Sequence, residues 1–223
     1  MKVIAHIHTD YPQKFGVPRQ SGLVDSVGQI VFEPEYRNPD AVRGIDGYDY
    51  LWLLWQFEGA QQRAWSPTVA PPRLGGNTQM GVFATRSPNR PNPIGLSSVR
   101  LLEVKFTTKG PVLVVSGADL RDNTPIYDIK PYLPYTDSHP NARYGFAKAG
   151  REHQLQVQFP KELLDCLPKE KQHAAVQMLQ QDPRPAYHTG GQRQYGVAFA
   201  GVDIHFVVNE NTLTVVEVIP LTD

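Results

Sequence analysis

Four polar stretches carry the side chains that could do chemistry in this chain. The longest, residues 71 to 97, reads PPRLGGNTQMGVFATRSPNRPNPIGLS and sets Arg73, Arg86 and Arg90 among prolines and glycines, with Arg100 just beyond. Pro88, Pro91 and Pro93 fix φ and hold an extended path, and glycine lets backbone turn sharply or approach a ligand. A rigid path bearing planar guanidinium forks suits carboxylates, phosphates or flat rings. Ordinary connections have a median of about four to six residues, so this stretch is too long for a simple turn. In SGADLRDNTPIYDIKPYLP, Asp119 and Asp122 stand three apart just past an apolar run. Such a pair serves acid–base work, a metal or a cationic group, or closes an Asx turn on its own backbone. The other two stretches are Pro18-Arg19-Gln20 within KFGVPRQSGL and Asp182-Pro183-Arg184-Pro185-Ala186-Tyr187. His6 and His8 share a strand face, yet no cysteine or acidic partner stands at ligand spacing, so no metal site is expected.

The elements that must position these groups are mostly strands. Residues 2–8, 28–34, 96–108 and 111–120 carry strand patterns, and Gly110-Pro111 is expected to join the last two as a hairpin. YDYLWLLWQF (48–57) is a continuous apolar run too short to span a membrane, and reads as a central buried strand in which Trp52 and Trp55 pack in the core. NPDAVRGIDG (38–47) reads as a short helical turn, and residues 124–138 as a short strand followed by a Pro/Tyr-rich segment. Many short strands and almost no amphipathic helix predict a mostly β body, a barrel or a sandwich. Near residues 139–152 the pattern is lost, which places a boundary between a domain at 1–145 and a small α+β domain at 146–223. In the tail, helical spacing follows residue 160, Pro168 splits it into two pieces, and three strands close the chain with an NEN hairpin turn.

Composition narrows the class. The chain has 223 residues, 40% of them hydrophobic, enough for a real core. Lys+Arg and Asp+Glu are both 22, so no whole-chain basic field grips nucleic acid. Up to residue 145 there are ten Arg against five Lys, a balance that favours local bidentate contacts. The lone Cys166 excludes an intrachain disulfide and a Cys-cluster zinc site, and suits a reducing, cytoplasmic setting. No signal peptide or membrane-length apolar run is read. P-loop, GxGxxG, HExxH and GxSxG motifs are absent.

GVFATRSPNRPNPIGLSSVRLLEV and DLRDNTPIYDIKPYLPYTDS, with KFGVPRQSGL, AVRGIDGYDYLWLLWQF and QDPRPAY, resemble the TsaA/TrmO (YaeB-like) family over nearly the whole chain. The resemblance implies a β-barrel cofactor domain with a small C-terminal domain for tRNA or substrate recognition. It implies a homodimer with the cofactor near its interface. It also implies an S-adenosylmethionine-dependent methyltransferase acting on N6 of the threonylcarbamoyladenosine beside the anticodon, at position 37 of threonine tRNA. By matching motif, Pro18, Arg19, Gln20, Arg86, Leu96 and the run Asp119, Leu120, Arg121 and Asp122 would line the cofactor pocket. Where the family often carries His-Gln or His-Leu, this chain has Glu58-Gly59, a departure that leaves Glu58 to hold the cofactor's ammonium or ribose hydroxyls. The departure keeps open a non-catalytic cofactor-binding dimer; the neutral charge keeps open a methyltransferase for a different small substrate.

That chemistry sets its own demands. The cofactor brings its electrophile, so the protein has to bind, orient and desolvate. Its sulfonium prefers aromatic faces or backbone oxygens, with Phe83, Trp55, Tyr127, Tyr132 and Tyr135 as candidates. The nucleophile is an amide-like nitrogen that needs its proton removed or its developing charge stabilised. Tyr187, Asp182 and Arg184 are the catalytic candidates from the tail. Arg86 or Arg90 is the candidate clamp for the substrate's carboxylate, and with Arg86 placed against the cofactor, Arg90 is left for the substrate.

Overall fold

The computed structural model describes residues 1–57, 65–71, 78–150, 154–184 and 193–221, the side chains of 148–150 excepted. In chain order the strands are β1 (Ala5–His8), β2 (Val27–Phe32), β3 (Tyr50–Gln56), β4 (Thr68–Val69), β5 (Met80–Gly81), β6 (Ile94–Thr107), β7 (Gly110–Ser116), β8 (Thr124–Pro131), β9 (Gln156–Gln158), β10 (Gln194–Phe199), β11 (Val202–Asn209) and β12 (Thr212–Pro220). Among the described residues three α-helices join them: α1 (Pro134–Asp137), α2 (Lys161–Leu164) and α3 (Lys169–Gln180).

Six strands close a barrel in the order β1-β2-β7-β6-β3-β8, with β8 returning to β1 and every pair antiparallel. Closure leaves no sheet edge, which resolves the choice between barrel and sandwich. Inward-facing Ala5, Ile7, Ile30, Leu51, Leu53, Val99, Leu113, Val115 and Ile126 fill the interior. The strand at 48–57 departs from the expectation of burial on both faces. Leu51, Leu53 and Trp55 are buried while Tyr50, Trp52 and Leu54 alternate outward, because an antiparallel barrel strand has one face on the core. Trp52 is therefore only half-buried, and its indole donates to Asp137 Oδ2 at 2.8 Å. Burial along the whole strand belongs instead to β7, from Pro111 to Ser116.

The hairpin between β6 and β7 also differs from its expected form. Thr107 pairs with Gly110, so Thr108 and Lys109 make the turn and Pro111 is already in the strand. Gly110 has φ of +108°, and a Cβ there would lie 2.7 Å from Arg37 Cβ, so glycine is required. The stretch from 71 to 97 is not one loop. It contains β5, a 3-10 turn at Val82–Ala84 and the start of β6, where Ile94 pairs with Gln56.

The tail folds as a four-stranded sheet, β10-β11-β12-β9, with α3 against it. Pro168 caps α3 and separates it from α2, as the proline predicts. Glu210 takes φ of +53° in the tight turn between β11 and β12. β9 runs parallel to β12 and is an addition to the expected elements: Leu155, Val157 and Phe159 alternate with glutamines there, a period-2 signal just past the stretch where the pattern is lost.

The two cores meet through residues 10–25. Tyr11 and Val24 are buried in the tail's core, not the barrel's. Lys171 Nζ pairs with Asp10 Oδ2 at 2.6 Å, and Ala200 N–H donates to the Asp10 carbonyl at 3.0 Å. Asp25 N–H donates to Gln177 Oε1 at 2.8 Å. Gly16 has φ of +94°, and a Cβ would stand 2.4 Å from Val197 Cγ2. This strap leaves the barrel, lies on the tail sheet and helix, and returns. No described helix is long and apolar enough to cross a membrane.

Candidate active site

One cleft, of about 1020 Å³, gathers residues from every polar stretch of the barrel domain. The strap contributes Lys14, Val17, Pro18, Arg19 and Gln20; the proline-rich path contributes Thr85, Arg86, Pro88, Asn89, Arg90 and Asn92. The start of β6 adds Ile94, Gly95 and Leu96, the end of β3 adds Trp55, Gln56 and Phe57, and the segment after β7 adds Asp119 and Arg121. Volume and lining match a site for a molecule of cofactor size.

Hydrogen bonds tie these walls together. The Arg86 Nη1 donates to Gln20 Oε1, joining the proline-rich path to the strap. Arg90 Nη1 donates to the Thr85 carbonyl at 3.1 Å and the Ser87 carbonyl at 3.3 Å. Arg90 therefore braces its own loop as well as lining the cleft. Thr85 and Ser87 hydroxyls accept from backbone N–H groups two residues on, so the path is held by ST-turns as well as by its prolines. Phe57 N–H donates to the Pro93 carbonyl at 2.9 Å and fixes the end of β3 against the same path.

Among the described residues, Asp119 is the only carboxylate that lines the cleft, which also holds Lys14, Arg19, Arg86, Arg90 and Arg121. Burial pushes its carboxyl above the ordinary carboxylate range, and the Ser97 hydroxyl, its own backbone N–H, Arg86 and the Ser21 backbone pull it back. Ser97 Oγ donates to Asp119 Oδ1 at 2.5 Å and receives the Trp55 indole N–H at 2.9 Å. Trp55 and Phe57 stand with ring centroids 4.3 Å apart and form an aromatic flank.

Asp119 and Asp122 do not act as a pair. After Asp119 the chain turns: Leu120 enters the barrel core at 1% exposure, and Asp122 bonds Thr9 N–H at 3.0 Å and faces His8 Nδ1 at 3.3 Å. Neither Leu120 nor Asp122 lines the cleft. His6 faces Glu33 at 2.8 Å, so the two histidines serve separate carboxylates. Among the described residues no group of three or more His, Cys, Asp or Glu is placed to hold a metal.

From the tail, Asp182 and Arg184 lie outside the cleft lining and pair in bidentate fashion, Nε to Oδ1 at 2.8 Å and Nη2 to Oδ2 at 3.0 Å. The hydrogen bond to Asp182 holds the Arg184 guanidinium above its usual range. Asp182 is buried at φ of +51°, and its carbonyl accepts from Arg19 Nη2 at 2.9 Å. The tail thus reaches the cleft through Arg19. Glu58, Gly59, Arg73 and Tyr187 lie outside the described residues. Of the aromatic candidates, Trp55 lines the cleft. Tyr127 is bonded to Gln56, Tyr132 packs on Trp52 and Tyr50, and Phe83 and Tyr135 are exposed. Ser97, Gln56 and Lys14 were not singled out from sequence; the small alternating positions Gly95 and Ser97 opposite an aromatic strand were the available signal.

A closed antiparallel barrel with a cation-lined cleft at its end, one wall of which is a barrel strap resting on a smaller sheet domain, defines a two-domain β protein with a site built across both cores. The chain belongs to the TrmO family: the tRNA-methyltransferase O N-terminal domain matches residues 6–138, and the TrmO C-terminal domain matches residues 152–221. It is 44% identical over 194 residues to the tRNA (adenine(37)-N6)-methyltransferase of Escherichia coli strain K12, covering 84% of this chain and 83% of that protein. It is 38% identical over 211 residues to a Pseudomonas aeruginosa protein named putative S-adenosylmethionine-dependent methyltransferase RcsF, covering 91% and 90%. Its fold matches the crystal structure of TrmO from P. aeruginosa with a TM-score of 0.77 at 32% identity, over 99% of this chain and 97% of that one.

Proposed function

We infer that this chain is an S-adenosylmethionine-dependent methyltransferase that modifies N6 of the adenine at tRNA position 37, with threonylcarbamoyladenosine of threonine tRNA as the substrate. The observation that carries the reading is the cleft's charge. Among the described residues, a chain with 22 basic and 22 acidic residues concentrates five cations against one carboxylate in a single cleft. Local concentration of this kind answers the absence of a basic field over the whole chain. Both reactants bring carboxylates, and the anticodon loop brings phosphates, all of which guanidinium groups receive.

The donor set fits the cofactor. Arg86 and Arg19 suit its carboxylate, Asp119 suits its amino group or another N–H donor, and the Trp55–Phe57 flank suits its flat and sulfonium parts. When bound, the cofactor supplies a methyl group already activated on sulfur. The protein's own residues then orient and desolvate. Pro18 and Pro88 hold backbone rigid beside the ligand, Gln20 and Arg86 lock the two loops, and Arg90 and Arg121 face the remaining space for the substrate's carboxylate. Asp182 and Arg184 act by holding Arg19, and Tyr187 is the candidate to take or relay the N6 proton. The domain at 146–223 contributes tRNA recognition, a cytoplasmic setting follows from the substrate, and a homodimer is part of the same reading. Leu96, 55% exposed at the cleft rim, is the apolar surface such a partner would cover.

The test uses purified protein, methyl-labelled cofactor and tRNA from cells with and without the threonylcarbamoyl modification. Label is expected only in the modified tRNA. Equal labelling of both would refute the substrate. Cofactor binding with no transfer to any tRNA would return the chain to a non-catalytic binding module.

A further inference from the structure

Ser97 is a hydroxyl in a position where a barrel interior ordinarily carries an aliphatic side chain. It is 1% exposed, on the face of β6 that also carries Gly95 and Val99. Its two hydrogen bonds fix a direction. An indole N–H only donates, so Trp55 occupies a lone pair of Ser97 Oγ at 2.9 Å and the hydroxyl hydrogen is turned toward Asp119 Oδ1, 2.5 Å away. Trp55 itself is held where it is by bare backbone: a Cβ on Gly95 would stand 2.2 Å from ring atom Cε2. Phe57 packs on the same indole, ring centroids 4.3 Å apart.

The geometry points to Trp55 and Ser97 as positioning residues that hold the Asp119 carboxylate in one orientation in the cleft, where it accepts from a nitrogen donor of the methyl-donor cofactor. This rests on the cofactor reading above. The chain runs one way, from indole to hydroxyl to carboxylate, and each donor favours the ionised acceptor. It offsets the cost of burying that carboxylate in the cleft wall, which otherwise favours its neutral form. The other groups facing Asp119 act in the same region: Arg86 from the proline-rich path favours its charge, Tyr11 from the strap interacts with it, and Arg121 lines the same cleft. Removing the Ser97 hydroxyl therefore raises the pH at which Asp119 loses its charge, and cofactor affinity falls with that charge.

The experiment is calorimetric titration of S-adenosylmethionine into the full chain and its Ser97→Ala, Ser97→Thr and Asp119→Asn variants across a pH series. Ser97→Ala is expected to bind about tenfold more weakly at neutral pH, the scale of one hydrogen bond to a charged group. Its loss of affinity on acidification should begin at higher pH than in the parent, and Ser97→Thr, which keeps the hydroxyl, should restore both. A second readout needs no ligand. The indole N–H resonance of Trp55 should move in Ser97→Ala and stay in place in Ser97→Thr. If Asp119→Asn weakens binding while Ser97→Ala matches the parent in affinity and pH profile, the positioning role is overturned and the cofactor site stands. If Asp119→Asn leaves binding unchanged, or the parent binds no cofactor, the site reading falls and takes this role with it. A Ser97→Thr variant as weak as Ser97→Ala would also overturn it, because the hydroxyl would then not be the cause.

Discussion

Adding one methyl group at Gly95 should cost this protein much of its margin of stability. A Cβ there would lie 2.2, 2.4 and 2.6 Å from three atoms of the Trp55 indole, far inside any tolerated contact. The ring has little room to withdraw, since it is 8% exposed and stands against Phe57. Forcing a core side chain off its position costs about 1–3 kcal/mol. Moving the indole also breaks its bond to Ser97, a further loss of about 0.5–1.5 kcal/mol. The expected destabilisation of Gly95→Ala is roughly 2–4 kcal/mol, read from urea unfolding followed by tryptophan fluorescence, with an unchanged m value. A double-mutant cycle isolates the clash. Trp55→Ala removes the ring that collides, so the double variant should be more stable than the sum of the two singles by roughly 1 kcal/mol or more. Gly95→Ala within about 0.5 kcal/mol of the parent, the scale of an ordinary surface change, would refute the placement of the indole.

Three further outcomes are expected. Arg86→Ala should weaken cofactor binding about tenfold or more by calorimetry, the scale of a lost charged hydrogen bond, with little change in Tm; unfolding with full activity in the soluble fraction would make the loop structural only. Arg184→Met leaves the buried Asp182 carboxylate without its bidentate partner and should cost about 2–4 kcal/mol in urea unfolding, and it should weaken cofactor binding through Arg19. His205, bonded by Asp203 at 2.9 Å and Glu217 at 3.1 Å, is held above the ordinary imidazole range, chiefly by Asp203. Its charged form is favoured in the fold, so its contribution is complete below the unfolded value and is lost as pH rises through the folded one. Thermal melts across that window should show a decline that His205→Gln lacks.

Much of this site was legible before any coordinates, because its walls are built from rigid local sequence. Pro88, Pro91 and Pro93 restrict the path from Thr85 to Ile94, and the guanidinium groups point to anionic groups on a ligand. The strands of the barrel were visible for the same reason, through alternation that local chemistry sets. What could not be read was direction. Asp119 and Asp122 are three apart on paper, yet Leu120 turns into the core between them and Asn123 takes φ of +63°, so they face different neighbours. The bond from Arg19 to Asp182 spans 163 positions and exists only once the tail has docked. β9 was lost because its glutamines resemble linker composition, although Leu155 and Val157 point inward every second residue.

The strap between β1 and β2 has a consequence for how the molecule can be divided. Pro18, Arg19 and Gln20 form one wall of the cleft, but Tyr11, Gly16 and Val24 around them rest on the tail, and Lys171 pairs with Asp10. The barrel owns the covalent chain of that wall; the tail owns its shape. A barrel cut free near residue 145 would keep its strands and lose the surface on which the wall is cast. It would also leave Tyr11 and Val24 exposed to water. Swapping in a relative's tail would therefore reshape the cleft as well. Barrel and tail cannot drift independently there, because a change in the packing of either must pass through the same sixteen residues.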